Sequence, residues 1–484
     1  MNQTPRQRAV SRQFVQQYPI RSAIIPGDWY DAAKHYRKWA EQQPWSAIGT
    51  LDKRTDLPQW IYDLHIATRH STFTPNYSDL ERSVQRVKIN VDNVRTAKKL
   101  LNTAGLGVWY SYGYVPAGTP STFHGAGQFN ARPELQTIPG VPEAVAEFRK
   151  NNIYTIGYLN TRIYDQPGVP GHADSKAVEP LVMRYLDGTF QLYANKSFDV
   201  CRIAPGWQQR LLEIIKKDAV KNGFAGMYLD SFGRGQPHCW AANHGHEPGS
   251  TTASVTGQRV LAKLIRTEMR KLIPDFVISS EANIEQFVDV IDFKLHHENI
   301  YEHAVPVWTK IYHDRQFVYG RNTNYPGVQI TSCFHIGAFL GRIFMGDSDE
   351  KLHRVYLTEK FTPYYRKLIA MRKHFYKQIG IGEMLRPPAV KCELPPTKEK
   401  IGKNKINYPA VNASAWRNTA GTPAAFFTNH TDQKAVFTFT LDPQEFPGKP
   451  KHWLIADNDG NLHKQPFNTQ TLELPPQGVA ALEF

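Results

Sequence analysis

Short apolar runs alternate with longer amphipathic stretches over residues 60–340 of the chain. Met227–Leu229 and Phe276–Ile278 have the length and composition of buried strands. Between them, Gln258–Leu272 carries apolar residues at helical spacing, which is typical of a helix that packs by one face. A buried strand, a helix and a second buried strand predict a parallel βαβ unit.

The same alternation predicts eight strands. They are Trp60–Ile66, Leu106–Tyr114, Tyr154–Leu159, Ala225–Asp230, Val277–Glu281 and Val288–Leu295, with Ala304–Tyr312 and Val328–Ala338 as candidates for the last two. The predicted helices are Asp28–Gln43, Val91–Leu101, Pro142–Asn151, Trp207–Lys221, Gln258–Leu272 and His353–Lys377. Eight strands with helices between them favour an α/β fold of the (β/α)8 TIM-barrel type over an open sheet. The sequence has no GxGxxG or GxxxxGK[ST] loop, which argues against a nucleotide-binding sheet.

The pattern changes after residue 385. Arg386–Pro409 is rich in Pro and Lys and is interpreted as a linker or an irregular crossing. The runs that follow are short and β-rich: Ala424–Thr428, Ala435–Leu441, His452–Ile455 and Val479–Phe484. We therefore predict three regions: a lead-in with one helix over residues 1–45, a catalytic barrel over 46–385, and an antiparallel β-sandwich over 386–484.

Composition sets broad limits on the function. The 484 residues are 41% hydrophobic, which is enough for a large core. Lys and Arg outnumber Asp and Glu by 58 to 44, a net charge of +14. These residues are scattered, and Lys398–Lys405 is the only short basic cluster. We therefore expect a solvated basic surface and no nucleic-acid partner; the charge favours an anionic glycan only weakly.

The sequence predicts no membrane partner, because it lacks a run of about 18 apolar residues. The N-terminus also lacks the apolar segment of a signal peptide. We expect a cytoplasmic protein, or a periplasmic or secreted one from which an export signal has been removed.

Two carboxylates follow apolar strands. Asp230 ends Ala225–Asp230, and Glu281 ends Val277–Glu281. Active sites of barrel enzymes lie at the carboxyl ends of the strands, and a charge there is costly unless it faces a polar cleft. Two such carboxylates are the minimal set for cleaving a glycosidic bond. We predict that Asp230 and Glu281 are catalytic.

Further polar and aromatic residues lie at predicted strand ends or in the loops that follow them. The predicted substrate-binding residues are Asp63, His65, Trp109, Tyr112, Asn160, Arg162, Arg202, His244, His246, His297 and Glu298. Asp63 and His65 are expected to end the first strand, and Trp109 and Tyr112 to line a sugar cleft beside the second. Glu298 is the alternative acid/base if Glu281 is structural.

Four cysteines are present, Cys201, Cys239, Cys333 and Cys392, and none has CxxC spacing. The spacing predicts neither a zinc site nor a redox pair.

A cluster of His238, Cys239, His244 and His246 follows Asp230 and raises the possibility of a metal site. The His-Gly-His spacing does not match a helix, so we interpret these histidines as substrate-binding or loop-forming. No metal and no other cofactor is predicted.

Several motifs together carry a family resemblance over roughly residues 27–340. They are Gly27–Ala33, Tyr36–Trp39, Tyr228–Asp230, Pro237–Cys239, His244–His246 and Ser280–Asn283. The chain resembles a bacterial barrel family known mainly as a domain of unknown function, which is similar to endo-α-N-acetylgalactosaminidases and, more distantly, to α-amylase-like enzymes. The resemblance implies that Asp230 is the nucleophile and Glu281 the acid/base.

The resulting hypothesis is a glycosidase with a carbohydrate substrate, which cleaves α-linked sugars of an oligo- or polysaccharide by a retaining two-carboxylate mechanism. Three alternatives stay open from the sequence. They are an inverting or β-acting glycosidase on the same barrel, a non-catalytic carbohydrate-binding barrel, and a metal-dependent hydrolase that uses His244, His246 and Asp230.

Overall fold

Eight parallel strands form the centre of the protein in a computed structural model that describes residues 19–72, 79–114, 135–166, 175–193, 197–250, 252–281, 284–296, 304–320, 326–344, 360–401 and 404–484. The strands are β1 (Leu64–Ser71), β2 (Ala104–Tyr110), β3 (Ile153–Asn160), β4 (Gly226–Asp230), β5 (Val277–Ser280), β6 (Phe293–Leu295), β7 (Phe317–Tyr319) and β8 (Leu340–Phe344). They pair in the order β7-β6-β5-β4-β3-β2-β1-β8.

The sheet closes on itself between β7 and β8. The backbone N–H of Phe339 donates to the Val318 carbonyl at 2.8 Å, and that of Gly320 donates to the Phe339 carbonyl at 3.1 Å. All the neighbouring pairs are parallel. The fold is therefore a closed (β/α)8 barrel, as the sequence predicts.

Helices surround the barrel. They are α1 (Trp29–Ala40), α2 (Leu80–Leu101), α3 (Val141–Lys150), α4 (Pro205–Asn222), α5 (Thr252–Leu272), α6 (Val307–Tyr312), α7 (Pro326–His335) and α8 (Thr362–His374). Shorter helical turns lie at Pro44–Ser46, Gln59–Tyr62, Ser175–Val178, Glu179–Leu181, Glu285–Phe287 and Tyr376–Gly380. Short strands outside the barrel lie at Gly113–Tyr114, Gln136–Thr137, Ile163–Asp165, Leu192–Tyr193 and Ser197–Asp199. None of the described helices is long and apolar enough to cross a membrane.

Helix α1 begins with a capping box. The Asp28 carboxylate accepts a hydrogen bond from the Tyr30 N–H at 2.8 Å, and the Asp31 carboxylate accepts one from the Asp28 N–H at 3.0 Å. These bonds satisfy N–H groups that the first helical turn leaves without partners. Asp28 is therefore the N-cap of α1.

Side chains alternate between the inside and the outside of each barrel strand. In β4, Tyr228 belongs to the core inside the barrel, whereas Met227 and Leu229 belong to the core between the barrel and its helices. The same alternation sends Ile156 and Tyr158 of β3 inward. The residue parity of each strand therefore decides which side chains can reach the barrel's open end.

Antiparallel sheets follow the barrel. Their strands are β9 (Glu383–Leu385), β10 (Ala389–Cys392), β11 (Thr397–Ile401), β12 (Asn404–Tyr408), β13 (Val411–Arg417), β14 (Pro423–Asn429), β15 (Ala435–Thr440), β16 (His452–Ala456), β17 (Leu462–Pro466), β18 (Thr471–Leu474) and β19 (Val479–Glu483). Six strands pair in the order β9-β13-β14-β19-β16-β17, three in the order β10-β15-β18, and β11 pairs with β12. Aromatic residues that include Phe427, Phe437 and Trp453 form the core of this region.

Helix α7 joins the barrel to the six-stranded sheet. The two ring nitrogens of buried His335 lie 2.8 Å from the Ser414 hydroxyl and 2.8 Å from the Thr428 hydroxyl. The ring of the preceding Phe334 meets the Phe426 ring edge-on, with centroids 5.6 Å apart. The barrel and the six-stranded sheet thus share one buried cluster of side chains.

Some sequence-predicted elements differ from the structure. The first strand begins at Leu64 rather than Trp60, because Gln59–Tyr62 forms a helical turn. The two segments predicted as the last strands contain the helices α6 and α7 instead. Short apolar runs fit either a strand or a buried helix, so their composition could not distinguish between the two.

The predicted linker is wrong, and the last predicted helix lies partly outside the described residues. The predicted linker over residues 386–409 contains β10, β11 and β12, so it is a folded part of the antiparallel region. Of the predicted helix His353–Lys377, the structure has Thr362–His374, and residues 351–359 lie outside the described residues.

Gly226 provides a test of strand packing at the base of β4. A Cβ atom at this position would lie 2.3 Å from the Val277 carbonyl oxygen on β5. Gly226→Ala should therefore force β4 and β5 apart and lower the free energy of unfolding by about 1–3 kcal/mol. Gly235→Ala is the matched control, because a Cβ there meets nothing within 4 Å. Urea unfolding of both variants tests this, and equal stabilities would contradict it.

Candidate active site

Asp230 is the last residue of β4 and lies at the carboxyl end of the barrel. Its Oδ2 accepts a hydrogen bond from the Tyr158 hydroxyl at 2.5 Å and another from the Asn160 side-chain amide at 2.7 Å. Both donors come from β3, two residues apart and therefore on the same face of the strand. Two donors on a single oxygen orient the carboxylate and favour its charged form.

Asn160 is itself held in one orientation. Its side-chain carbonyl accepts hydrogen bonds from the backbone N–H groups of Arg162, at 2.9 Å, and of Ile163, at 3.1 Å. This arrangement leaves the NH2 group of Asn160 pointing to Asp230. The Thr161 hydroxyl also donates to the backbone carbonyl of Asp230 at 2.8 Å. The end of β3 therefore fixes both the side chain and the backbone of Asp230.

Glu281 follows β5, which is the neighbour of β4 in the barrel. Its carboxylate makes an ion pair with Arg234, with Oε2 and Nη1 3.5 Å apart, and it is 15% exposed. The preceding Ser280 donates to the carbonyls of Leu229, at 2.9 Å, and of Phe232, at 2.5 Å. These bonds tie the end of β5 to the chain on both sides of Asp230.

The two carboxyl groups interact directly. Burial and the charge of Glu281 raise the pKa of Asp230 to about 6, and a hydrogen bond between the two side chains adds to this effect, while the Tyr158 hydrogen bond opposes it. Two like charges in contact favour a shared proton. With this pKa, Asp230 is mostly ionised at neutral pH.

Tyrosine rings line the barrel beside the pair. The ring centroids of Tyr110 and Tyr158 are 4.4 Å apart, and those of Tyr158 and Tyr228 are 5.4 Å apart. The guanidinium of Arg69, near the end of β1, lies 4.4 Å over the Tyr110 ring. Burial and the charge of Asp230 raise the pKa of Tyr158 well above its usual value, so its hydroxyl stays a donor.

Trp109 and Tyr112 do not face this end of the barrel, so their prediction as cleft residues is wrong. Trp109 is fully buried and stacks on Phe148 of α3, with centroids 5.3 Å apart. The Tyr112 hydroxyl donates to Asp218 of α4 at 3.0 Å. Tyr110, one step after Trp109, faces inward because a step of one residue reverses the face of a strand, whereas Tyr112 lies beyond the end of β2, after Ser111 with its positive φ of 54°.

Asp63 and His65 lie at the amino end of β1, whereas the sequence predicts them at its carboxyl end. Asp63 precedes the strand and His65 is its second residue. The His65 ring packs edge-on against Tyr376, and burial lowers its pKa to about 3. The prediction placed them at the carboxyl end because it ended the strand at Ile66 instead of Ser71.

Arg162 and Arg202 lie near the pair but act on protein groups. Arg162 forms an ion pair with Asp199 at 2.5 Å. Arg202 is fully buried; it donates to the Ser231 carbonyl and, at 3.3 Å, to the Gln236 side chain. Burial lowers the pKa of Arg202 to about 10. Arg202 therefore holds the loop after Asp230.

His244 and His246 lie together in the loop that follows β4. His244 contacts Cys239, and His246 contacts Cys201. The metal alternative that pairs these histidines with Asp230 does not match these contacts. His297 and Glu298 lie outside the described residues.

Sequence reasoning missed three residues of the site: Tyr158, Arg69 and Arg234. Tyr158 lies two positions before Asn160 in a strand that was predicted correctly, so strand parity could have identified it. Arg69 was missed because the predicted strand ended at Ile66, whereas β1 runs to Ser71. Arg234 is in an irregular loop, where the sequence carries no positional signal.

The site lies in a region of the chain that matches a described family. A family described as "Domain of unknown function (DUF6259)" matches residues 14–325. The chain belongs to this family. The resemblance stated from the motifs is therefore confirmed.

A curated protein of Bacteroides thetaiotaomicron named "Putative glycoside hydrolase" is similar to this chain. The two are 24% identical over 298 residues, which covers 59% of this chain and 40% of that protein. The chain spans less than half the length of this relative.

Solved glycosidase structures share the fold. The α-N-acetylgalactosaminidase NagBb of Bifidobacterium bifidum, in complex with GalNAc, matches 83% of this chain and 62% of its own, with a TM-score of 0.54 and 13% identity. The maltogenic α-amylase AmyB of Thermotoga neapolitana matches 88% of this chain and all of its own, with a TM-score of 0.55 and 10% identity. At such low identity these likenesses show the fold alone. They confirm a barrel with a C-terminal β region.

Replacing Asp230 by Asn should stabilise the fold at neutral pH. The pKa of Asp230 is about 6 in the native state and 3.8 in the unfolded chain, so the native state binds the proton more tightly. Native stability therefore falls as the pH rises through this window. Because the residue is only half-buried, we expect a gain for Asp230→Asn on the order of 2 kcal/mol at about pH 7, vanishing near pH 4.

Chemical unfolding of Asp230→Asn and the wild type across this pH range measures the gain. Asp199→Asn is the control, because it removes the ion pair with Arg162 and should destabilise the fold at neutral pH. A gain for Asp230→Asn that is independent of pH would contradict the interpretation.

Proposed function

We propose that this protein is a retaining glycoside hydrolase that acts on α-linked sugars, with Asp230 as the nucleophile and Glu281 as the acid/base. The observation that carries the proposal is the contact between these two carboxyl groups at the ends of adjacent barrel strands. Barrel enzymes place their chemistry at this end, and two carboxyl groups can supply both steps of glycoside cleavage.

Asp230 has the surroundings of a nucleophile. The Tyr158 hydroxyl and the Asn160 amide favour its ionised form, and its pKa of about 6 leaves it charged at neutral pH. In the first step, the carboxylate of Asp230 forms a bond to the anomeric carbon as the glycosidic bond breaks. The donors on Oδ2 keep the attacking group in one orientation.

Glu281 has the surroundings of an acid/base. Its side chain is 15% exposed, so it can exchange protons with water, and Arg234 lies at 3.5 Å from it. In the first step Glu281 gives its proton to the leaving oxygen. In the second step it takes a proton from water, whose oxygen attacks the anomeric carbon and releases Asp230.

The short separation of the pair favours retention of configuration. Inverting enzymes keep their carboxyl groups about 6.5–9.5 Å apart to admit a water molecule, whereas retaining enzymes keep them about 5–5.5 Å apart. Ser280 pairs with Leu229 in the register of β5 and β4, so Glu281 lies directly across from Asp230, and its charge acts on that carboxyl group. This supports the retaining assignment over the inverting one.

The α-linkage and the carbohydrate substrate rest on the structural relatives. They are described as an α-N-acetylgalactosaminidase, an α-amylase and, with a TM-score of 0.55 and 8% identity over 94% of this chain and 59% of its own, an α-galactosidase from Geobacillus stearothermophilus in complex with raffinose.

Asp230→Asn and Glu281→Gln should both fold and lose most turnover of an aryl α-glycoside. We expect a loss of more than about 10³-fold for Asp230→Asn, because the nucleophile is removed. We expect a loss of about 10²–10⁴-fold for Glu281→Gln. A panel of aryl α- and β-glycosides provides the assay.

The leaving group separates the two roles. A phenol that is a good leaving group needs little protonation, so it should restore part of the activity of Glu281→Gln and none of that of Asp230→Asn. Proton NMR of the first-formed product anomer distinguishes retention from inversion. Binding of glycans without turnover of any substrate would instead indicate a carbohydrate-binding barrel.

Tyr158→Phe should shift the pH dependence of kcat/KM. The wild type is expected to lose kcat/KM below about pH 6, where Asp230 becomes protonated. Without the Tyr158 hydroxyl, Asp230 loses a hydrogen bond that lowers its pKa. The acid limb should therefore move to higher pH, while Tyr114→Phe, whose hydroxyl donates to Gln136, serves as the control. An unmoved limb in Tyr158→Phe would contradict Asp230 as the group that titrates.

A further inference from the structure

The loop after β4 brings together four side chains with metal-binding atoms. Cys239, His244 and His246 belong to this loop, and Cys201 precedes helix α4. One sulfur or nitrogen atom from each of the four lies within 4.8 Å of the corresponding atoms of the others. Cys201, Cys239 and His244 are buried, and His246 is half-buried.

The ring of His244 is oriented as a metal ligand would be. Its Nε2 lies 2.8 Å from the Pro180 carbonyl, which can only accept, so Nε2 carries the hydrogen. In the neutral ring, Nδ1 then has a free lone pair, and this atom lies 3.2 Å from the Cys239 sulfur. Histidines that bind metals commonly donate their other ring N–H to a backbone carbonyl in this way.

His246 repeats the arrangement with the ring nitrogens exchanged. Its Nδ1 lies 2.9 Å from the Glu247 carbonyl, and its Nε2 lies 3.4 Å from the Cys201 sulfur. The Gln236 amide also donates to the Cys201 sulfur, with a separation of 3.7 Å. Each imidazole thus presents a lone pair to a sulfur atom.

The spacing of these atoms suits a tetrahedral ion. Zinc binds sulfur at about 2.3 Å and imidazole nitrogen at about 2.0–2.1 Å, so a tetrahedral angle separates the two ligand atoms by about 3.6 Å. The sulfur–nitrogen distances of 3.2 Å and 3.4 Å are within a few tenths of an ångström of that value.

We propose that Cys201, Cys239, His244 and His246 bind a structural Zn²⁺ ion. Two cysteines and two histidines complete a four-coordinate site and leave no position for a substrate, which is the pattern of structural rather than catalytic zinc. On binding, the two thiols release their protons to solvent and the imidazoles stay neutral. The site is separate from the proposed chemistry of Asp230 and Glu281.

The ion would fix the loop that borders the active site. The loop over Ser231–Ser250 contains no helix or strand, yet it carries Arg234, the ion-pair partner of Glu281. Arg202, next to Cys201, donates to the Ser231 carbonyl at the start of the loop. The N–H groups of Gly233 and Gln236 already donate to Gln258 and Ser254 of helix α5, and the ion would add a cross-link between this loop and the chain before α4.

Metal analysis of the purified full chain is the first test. Protein prepared in reductant and exchanged into metal-free buffer should contain about one zinc per chain. His246→Ala and Cys239→Ser should lose that zinc, whereas Cys392→Ser should keep it, because Cys392 is outside the cluster.

A spectroscopic measurement covers the case in which the cysteine variant fails to fold. Wild-type protein stripped by a chelator and given Co²⁺ should show thiolate-to-cobalt charge-transfer bands, and Zn²⁺ should displace them. The stripped protein should also unfold at a lower temperature than the zinc-loaded protein, because an ion that binds only the native state stabilises it.

Two results would overturn the proposal. One is substoichiometric zinc, both in the isolated protein and after incubation of the reduced protein with Zn²⁺. The other is a Cys201–Cys239 disulfide that, by mass spectrometry, forms in air as fast in protein first reduced and incubated with Zn²⁺ as in reduced protein without Zn²⁺. None of these measurements uses glycosidase activity, so their outcome is independent of the proposed function.

Discussion

The contact between two carboxyl groups at the ends of β4 and β5 is the constraint that shapes the surrounding site. Burial and the nearby charge of Glu281 both disfavour the charged form of Asp230. The fold offsets this cost with donors: Tyr158 and Asn160 on Asp230, and Arg234 beside Glu281. Carboxyl groups whose pKa is raised by burial and by a second carboxyl group are common at functional sites.

The middle of the barrel could be predicted from the sequence more closely than its ends. The strands β3, β4 and β5 are apolar and bounded by clear helices, so their register and the placement of Asp230 and Asn160 followed from the pattern. The last two strands could not be found, because β7 has only three residues and the helices beside it are just as apolar. Tertiary packing, and not local composition, decides whether such short apolar segments become strands or helices.

Errors within the site have two physical causes. Trp109 was placed in the cleft because its strand was assigned without its parity, and Tyr112 because the predicted strand ran to Tyr114, whereas β2 ends at Tyr110. The contact of His246 with Cys201 could not be predicted either, because Cys201 lies 38 positions before Cys239. Only the folded chain shows that these groups converge, since no local spacing encodes it.

The contacts of His335 limit how the barrel and the six-stranded sheet can be exchanged separately during evolution. Both of its ring nitrogens are satisfied by hydroxyls of the six-stranded sheet, from Ser414 and Thr428, in a site closed to water. If recombination replaced the sheet with another module, it would leave a buried imidazole without partners, a cost comparable to losing two hydrogen bonds. Barrel and sheet are therefore matched at a polar contact, and an exchange of either one would require compensating changes in helix α7.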